Sequence, residues 1–341
     1  MTLTVLQSVY KKDNPLFLSE SLRSLAEQTR PANEIILVKD GLLTAELEAV
    51  ISEWREKLPF KVVGYEENHG LAHALNFGLQ FVETDLVARM DSDDIALPGR
   101  FEKQVCAFEI DESLQILGGG INEFYINPDG ERFLKTRLYP KSTKKHSKKL
   151  YKGTPLAHPT VMIKASLLKE FGYNEKVKCN EDIDLWFRLL DSGIEIKTLQ
   201  EPLVHFRITE GTFRRRSLSK AFFEFKIYFE NLVRFNGANK NLLYLFMRFT
   251  SRFLPSKISR KMYFSKNREN LFREDFMQIR TFQNSVFQKG GHMFQALLEF
   301  EENGERKIKA RQIDTNIENI VEVAADGVEL FTMAQDSVVS V

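Results

Sequence analysis

Apolar residues in the first hundred positions alternate between strand spacing and helix spacing. The strand-like apolar runs are residues 3–9, 33–41, 60–68 and 85–90. The segments between them with helical spacing are residues 14–28, 44–58 and 70–83. This order predicts right-handed β-α-β units. We therefore expect an α/β fold whose mostly parallel central sheet is flanked by helices.

The alternation weakens after residue 100. Residues 101–111 and 180–193 have helical spacing, and residues 114–126 have the composition of a strand. Residues 159–175 predict a strand followed by a helix, and residues 195–208 predict a last strand or hairpin. We expect one large α/β unit over residues 1–212, divided into a nucleotide-binding half (1–100) and an acceptor half (101–212).

Each of the first four predicted strands ends in a group of residues that contains polar side chains. These positions are Ser8, Val9 and Tyr10; Asp40; Glu67 and Asn68; and Asp91, Ser92 and Asp93. Ligands of open α/β sheets bind beyond the carboxyl ends of the strands. The strand ends therefore predict one shared crevice.

Composition and charge exclude several classes of protein. With 43% hydrophobic and 28% charged residues, the chain is typical of a soluble globular protein, and its net charge of +1 gives no reason to expect a nucleic-acid partner. Two cysteines, Cys106 and Cys179, are too few for a disulfide framework, which fits a reducing cytoplasm. Neither a signal peptide nor a run of about 18 apolar residues is present, so we expect a cytoplasmic protein.

Two acidic clusters carry the candidate chemistry. Asp91 and Asp93 are two residues apart, a spacing that lets both carboxylates bind one hard cation such as Mg²⁺ or Mn²⁺. The alternative is an acidic, solvated turn. Glu181 and Asp182 open a predicted helix, where a carboxylate either caps the helix or acts as a general base.

Six segments follow an order and a spacing that match one family. They are VLQSVYKKDNPLFLSESLRSLAEQT, EIILVKDG, NHGLAHALNFGL, VARMDSDDIALPGRFEKQV, HPTVMIK and NEDIDLWFRLL. Over residues 1 to about 210 the chain resembles the family 2 glycosyltransferases, which are inverting, nucleotide-sugar-dependent enzymes with a GT-A fold. It is most similar to bacterial members that build capsule, exopolysaccharide or O-antigen.

The resemblance implies a role for each matching residue. Asp91 and Asp93 match the metal-binding pair, which implies that Mn²⁺ or Mg²⁺ bridges the donor diphosphate. Asp182 matches the catalytic base, with Glu181 beside it. Asp40 matches the acid that accepts the uracil N3–H, which favours UDP over GDP or dTDP. The implied nucleotide-sugar-binding positions are Ser8, Val9, Tyr10, Asp40, Asn68, Gly70, Ala74, Asn76, Asp91 and Ser92.

Several other positions have a candidate role in the site or in the core. His205 is a candidate further metal ligand, and His158 resembles a family His-Pro that shapes the acceptor side. Trp186 is expected to pack in the core. The arginines between residues 205 and 217 either clamp the diphosphate or form a basic surface that faces a membrane.

Composition shifts near residue 213. Residues 213–268 carry fourteen Lys or Arg against two Glu, with Phe and Tyr between them, which predicts one or two helices. Such a basic, aromatic segment either packs on the sheet or lies on an anionic membrane surface, and we expect the second. Residues 269–341 carry thirteen acids against seven bases and predict an acidic tail or a small appendage.

The expected activity is transfer of a hexose or N-acetylhexosamine from a UDP-sugar to a saccharide or lipid-linked saccharide acceptor. Expected donors are UDP-galactose, UDP-glucose and their N-acetyl forms. Two rival enzymes share part of the pattern. A phosphatase with an Asp nucleophile would want Thr or Val where Ile95 stands, and a sugar-phosphate nucleotidyltransferase would want a glycine-rich loop after residue 9.

Overall fold

The structure is a computed structural model of the chain. It describes residues 1–126, 132–177, 179–208 and 218–250, together with strands between residues 280 and 332. Two compact units are present, Met1–Glu274 and Asp275–Val341. The helical residues 218–250 thus belong to the same unit as the predicted catalytic region.

A central sheet of ten strands forms the first unit. The strands are β1 (Leu3–Val9), β2 (Glu34–Asp40), β3 (Phe60–Tyr65), β4 (Leu86–Met90), β5 (Ile95–Ala96), β6 (Ile116–Ile126), β7 (Arg132–Arg137), β8 (Ser142–Thr143), β9 (Met162–Lys164) and β10 (Ile196–Arg207). Their order is β3-β2-β1-β4-β9-β6-β10-β5, with β7 beside β6 and β8 beside β10.

The first four strands are parallel, as predicted, while β9 runs antiparallel between β4 and β6. The sheet is therefore mixed in its second half. Because β1 pairs with both β2 and β4, the ends of these three strands open on the same edge.

Eight α-helices in the described residues cover this sheet or pack beside it. They are α1 (Pro15–Ala26), α2 (Ala45–Trp54), α3 (Leu71–Leu79), α4 (Arg100–Ile110), α5 (Ala165–Phe171), α6 (Glu181–Asp191), α7 (Leu218–Asn236) and α8 (Leu242–Thr250). The side chains of Asn14 and Thr44 accept backbone N–H bonds at the starts of α1 and α2, which fixes where these helices begin.

The two helices that follow β10, α7 and α8, join the core of the first unit. Tyr228, Leu232 and Leu245 are at most 1% exposed and pack in one cluster with Trp186 and Phe187 of α6. Burial of such side chains contributes about 1.5–3 kcal/mol each. The predicted helices of residues 213–268 are confirmed over residues 218–250, and the rest of that segment lies outside the described residues.

The second unit is an antiparallel sheet in the residues that the structure describes. Its strands are β11 (Arg280–Thr281), β12 (Ser285–Lys289), β13 (His292–Glu302), β14 (Glu305–Gln312), β15 (Ile320–Ala324) and β16 (Phe331–Thr332). Among all described residues, no helix has the length and apolarity needed to cross a membrane.

Candidate active site

The acidic loop that follows β4 is fixed by its backbone. The carbonyl oxygen of Asp91 accepts hydrogen bonds from Gln7 Nε2 (3.1 Å) in β1 and from Ser21 Oγ (3.0 Å) in α1. Gln7 and Ser21 are fully buried and bonded to each other at 2.9 Å. The main chain of the loop is therefore held in place while the Asp91 carboxylate stays partly exposed, at 29%.

Two buried arginines lie under this loop. Arg89 of β4 is 3% exposed, and its Nη2 donates to Asp91 Oδ1 at 2.6 Å. Arg100 of α4 is fully buried and donates to the Arg89 carbonyl at 2.8 Å. Burial, and then the neighbouring Arg89, lower the pKa of Arg100 to about 9. These cations offset part of the repulsion among the clustered aspartates.

Arg207 connects β10 to the same loop. Its Nε donates to the Asp93 carbonyl, and its backbone N–H donates to Asp94 Oδ1, each at 2.8 Å. Its guanidinium pairs with Glu20 and lies over the ring of Phe17 at 4.0 Å. Arg207 is thus a buried anchor of the loop. The other arginines considered for the diphosphate, Arg214, Arg215 and Arg216, lie outside the described residues.

Asp94 is fully buried, unlike the partly exposed Asp91 and Asp93. Its pKa is raised well above the usual range, first by burial and then by the charges of Asp91 and Asp93. The third acid of the motif is therefore a structural residue.

The end of β1 meets the acidic loop through Asp13. The Asp13 carboxylate accepts a hydrogen bond from Ser92 Oγ (2.8 Å) and another from the backbone N–H of Tyr10 (3.2 Å). Ser8 and Val9, the last residues of β1, directly precede Tyr10. The predicted positions on β1 and on the β4 loop are thus brought together, as expected.

Asp40 organises the loop before α3. Its carboxylate accepts hydrogen bonds from the Tyr65 hydroxyl (3.0 Å), Asn68 Nδ2 (2.7 Å) and the backbone N–H groups of His69 and Gly70. A carboxylate offers about four lone-pair sites. Asp40 therefore joins the predicted positions Asn68 and Gly70 into one group, and its contact with a nucleobase stays a prediction.

Gly41 and Gly70 make this loop possible. Both have positive φ, +87° and +91°. A Cβ on Gly41 would lie 2.9 Å from the Asn68 backbone nitrogen. Glycine is therefore required at residue 41 by conformation and by space.

Asn76 of α3 contacts the segment before α6. Its amide donates to the Tyr173 carbonyl and to Glu175 Oε1, both at 2.8 Å, and its oxygen accepts the Tyr173 N–H at 2.7 Å. These contacts position the approach to α6. A contact of Asn76 with the donor stays a prediction.

Glu181 and Asp182 form the first turn of α6. The preceding Asn180 has φ +63° and is the one non-glycine residue with positive φ in the described chain. Burial, and then the charge of Glu181, raise the pKa of Asp182 to about 7. Burial also raises the pKa of Glu181. A carboxylate with a pKa near 7 is suited to general-base work at neutral pH.

His158 is buried and contacts Trp186 of α6. Its Nε2 lies 2.9 Å from the Tyr173 hydroxyl, and its ring meets Trp186 edge-to-face at 5.9 Å. Burial, and then Arg89, hold the pKa of His158 well below its usual range. Trp186, 1% exposed, packs in the core as predicted.

The two acidic clusters act on each other electrostatically. The charge of Asp91 raises the pKa of Glu181, and the charge of Arg89 lowers it. Asp91 and Glu181 are ninety positions apart in sequence. Arg89 acts on both clusters, through its ion pair with Asp91 and through its charge on Glu181.

The acidic loop offers a suitable donor set for a hard cation. Carboxylate oxygens are the ligands that Mg²⁺ and Mn²⁺ prefer, and Mg²⁺ is commonly held by one or two carboxylates plus substrate phosphates. No group of three His, Cys, Asp or Glu side chains within the described residues has metal-binding geometry. The role of Asp91 and Asp93 as metal ligands stays a prediction.

His205 lies one strand away from this loop. It stands in β10 opposite Ile95 of β5, and its ring contacts Phe124 edge-to-face at 6.1 Å. Its role as a metal ligand stays a prediction.

The residues that sequence reasoning missed are mainly those that hold the loop. They are Gln7, Asp13, Ser21, Arg89 and Arg100. Arg207 was expected to clamp the diphosphate or to form a basic surface, and it instead anchors the loop. Arg89 carried a visible signal, because it is the one charged residue inside the apolar strand LVARM. The others are distant in sequence from the residues they hold.

Comparison with known proteins adds to this geometry. The model of the family described as "Glycosyl transferase family 2" matches residues 5–172. An "Uncharacterized glycosyltransferase" of Haemophilus influenzae is 38% identical over 265 residues, which cover 77% of this chain and 98% of that protein.

Two further proteins extend the comparison. The UDP-Gal:alpha-D-GlcNAc-diphosphoundecaprenol beta-1,3-galactosyltransferase of Escherichia coli is 34% identical over 266 residues, which cover 76% of this chain and 94% of that protein. The solved structure of the mannosyltransferase PcManGT from Pyrobaculum calidifontis, in complex with GDP-Man and Mn²⁺, has a TM-score of 0.52. It is 16% identical, with 78% of this chain and 81% of that chain covered, and so shows a shared fold.

Proposed function

The chain belongs to glycosyltransferase family 2 and has the GT-A fold, and from that premise we propose that it moves a hexose or N-acetylhexosamine from a UDP-sugar to a lipid-linked or growing saccharide. The reaction would be one step of bacterial surface-polysaccharide synthesis. The E. coli relative, whose name gives UDP-Gal and a diphosphoundecaprenol-linked sugar, supports this donor and acceptor class.

The observation that carries the proposal is the electrostatic setting of Asp182. Partial burial and then the charge of the adjacent Glu181 raise its pKa to about 7, and the charge of Asp91 acts in turn on Glu181. Asp182 would take the proton of the acceptor hydroxyl as that oxygen attacks the anomeric carbon. Attack from the face opposite the departing diphosphate inverts the anomeric configuration in a single displacement.

Asp91 and Asp93 would hold Mn²⁺ or Mg²⁺, whose chemistry is to neutralise charge on the leaving nucleoside diphosphate. Gln7, Ser21 and Arg207 keep that loop in place before any donor arrives. The protein therefore does not have to order the loop during the reaction, which is the advantage of a preorganised site.

The remaining predicted positions would bind the nucleotide. They are Ser8, Val9, Tyr10, Asp40, Asn68, Gly70, Asn76 and Ser92. Asp13 joins Tyr10 to Ser92, and Asp40 joins Asn68 to Gly70, which supports two neighbouring parts of one donor site.

Binding of nucleotides tests the donor side. UDP, GDP and dTDP are titrated into the protein by calorimetry, with Mn²⁺ and then with EDTA, for the wild type and Asp93→Ala. We expect UDP binding that needs both Mn²⁺ and Asp93, and no loss in the control Glu53→Gln, an exposed α2 residue. If no nucleotide binds under any condition, the proposed activity is wrong. The anomeric configuration of the product, read by NMR, tests inversion.

We also propose that the protein works on the inner face of the plasma membrane and that α8 makes the contact. Leu243, Tyr244, Phe246 and Met247 are between 44% and 64% exposed, whereas Leu245 of the same helix is buried. Apolar side chains of a surface helix can enter the boundary of a bilayer while nearby Lys and Arg attract anionic headgroups.

Co-sedimentation with vesicles tests the membrane contact. Vesicles of phosphatidylglycerol and phosphatidylethanolamine should carry down the wild type, and the double substitution Leu243→Glu, Met247→Glu should release it. Leu42, 72% exposed on the loop before α2, supplies the control Leu42→Glu. Equal sedimentation of all three proteins would refute the role of α8.

A further inference from the structure

Helices α6 and α7 run side by side in the same direction. Phe187 of α6 meets the Tyr228 ring edge-to-face at 5.2 Å, and Asp191 near the end of α6 pairs with Arg234 of α7 at 3.1 Å. Both helices advance by about 1.5 Å per residue. One turn before Tyr228 is Glu224, which therefore lies level with the first turn of α6.

The Glu224 carboxylate is held in a fixed position. Arg248 of α8 donates from Nη2 to Glu224 Oε1 at 2.5 Å, and the two side chains are only 23% and 18% exposed. The Arg248 guanidinium also lies over the Tyr228 ring, 4.1 Å from its centre. The ion pair is thus linked, through the Tyr228 ring, to the aromatic contact between α7 and α6.

Charges on α7 reach both acids of α6. Glu224 contributes to the raised pKa of Asp182, after burial and the charge of Glu181. Lys220, one turn earlier on α7, acts on Glu181 in the opposite sense. The titratable and charged groups around Asp182 and Glu181 are Arg89 of β4, Asp91 of the loop after β4, Tyr173 and Cys179 of the preceding segment, and Lys220, Glu224, Tyr228 and Arg248 of α7 and α8.

We propose that Glu224 and Arg248 are positioning residues of the active site, which set the pH at which Asp182 accepts the proton of the acceptor. The proposal rests on the proposed role of Asp182 as the base. It gives the helices after β10 a part in the chemistry, although they follow the region matched by the family model, which ends at residue 172.

The two partners should shift the pH dependence in opposite directions. Glu224→Gln removes a negative charge beside Asp182, so that Asp182 ionises at lower pH. Arg248→Met removes the compensating cation, so that Asp182 ionises at higher pH. Each shift should be about 0.5–1 pH unit, the size expected for one charge that solvent partly screens. Loss of packing alone would not produce opposite signs.

The experiment follows the Asp182 carboxyl directly by carbon NMR, with ¹³C-labelled aspartate and the resonance assigned by its absence in Asp182→Asn. In the wild type we expect the midpoint near pH 7. Glu224→Gln should lower it, Arg248→Met should raise it, and Arg248→Lys should restore it. The control is Glu230→Gln, which removes an exposed carboxylate from the same helix and should leave the midpoint unchanged.

The acid limb of kcat against pH should move with these midpoints. The proposal is overturned if the titration midpoint of Asp182 equals the wild-type value in both variants, or if it moves in the same direction in both. This result is distinct from failure of the proposed function, in which the wild type would transfer no sugar while the NMR midpoints still shift in opposite directions.

Discussion

Asp182→Asn should abolish sugar transfer and at the same time stabilise the protein. Asparagine keeps the size and part of the hydrogen bonding of aspartate but cannot accept the acceptor proton. Removal of a general base should lower kcat by about 10²- to 10⁴-fold. A raised pKa means that the ionised form of the carboxylate destabilises the folded protein. Removing the charge should therefore favour the folded state.

The size of the stabilisation follows from the pKa. Burial and Glu181 raise it from the usual 3.8 to about 7. A shift of about three units corresponds to about 4 kcal/mol if the site were fully shielded. Because the side chain is only half-buried, we expect roughly half of this, about 2 kcal/mol, above pH 7.

The pH dependence has a definite direction. Between pH 3.8 and 7 the folded protein holds a proton that the unfolded chain has released, so the free energy of unfolding falls as the pH rises. The asparagine variant has no such proton. The difference in free energy of unfolding between this variant and the wild type should therefore grow across this pH interval and level off above it.

Urea unfolding at about pH 5.5 and pH 8 measures this difference. Trp54 and Trp186 are the two tryptophans of the chain and both belong to the first unit, so their fluorescence reports on that unit. Asp191→Asn, at the other end of α6, is the control. Lys145 lowers the pKa of Asp191, so its loss should destabilise the protein. An Asp182→Asn variant that is no more stable than the wild type at pH 8 would refute the reasoning.

Two further substitutions test how the loops are held. Gly41→Ala should destabilise the protein more than Gly193→Ala and should weaken UDP binding. Positive φ costs an alanine about 1–2 kcal/mol at either position, but only residue 41 also lies against a neighbouring backbone; urea unfolding and calorimetry measure both effects. Arg207→Lys should raise KM for the donor several-fold through the loss of its bond to the Asp93 carbonyl, while Arg30→Lys on the surface should not; an unchanged KM would show that Arg207 does not hold the loop.

Local patterns predicted the elements and the strand ends. The apolar run at residues 3–9 is β1 to the residue, and α2 (Ala45–Trp54) lies within the predicted helical segment 44–58. The convergence of Tyr10 and Ser92 followed from the rule that parallel strands open on one edge. These features depend on residues that are close together in the sequence, so local patterns can predict them.

Contacts between distant residues could not be predicted in this way. Arg207 and Asp93 are 114 positions apart, and Asn76 and Tyr173 are 97 apart. No spacing rule joins such residues, because their meeting depends on the order of strands in the sheet and on the antiparallel insertion of β9. The same holds for Glu224, whose place beside α6 depends on how α7 packs.

The distribution of arginines explains why so many carboxylates can share this site. Arg89 comes from β4 beneath Asp91, Arg207 comes from the last strand behind Asp93, and Arg248 comes from α8 beside Glu224. Each arginine bonds to a carboxylate or carbonyl outside its own strand or helix. Each therefore offsets negative charge and also holds two parts of the chain together. After burial, the charges of Glu181 and Glu224 raise the pKa of Asp182 to about 7, and the proposed reaction requires a base of that strength.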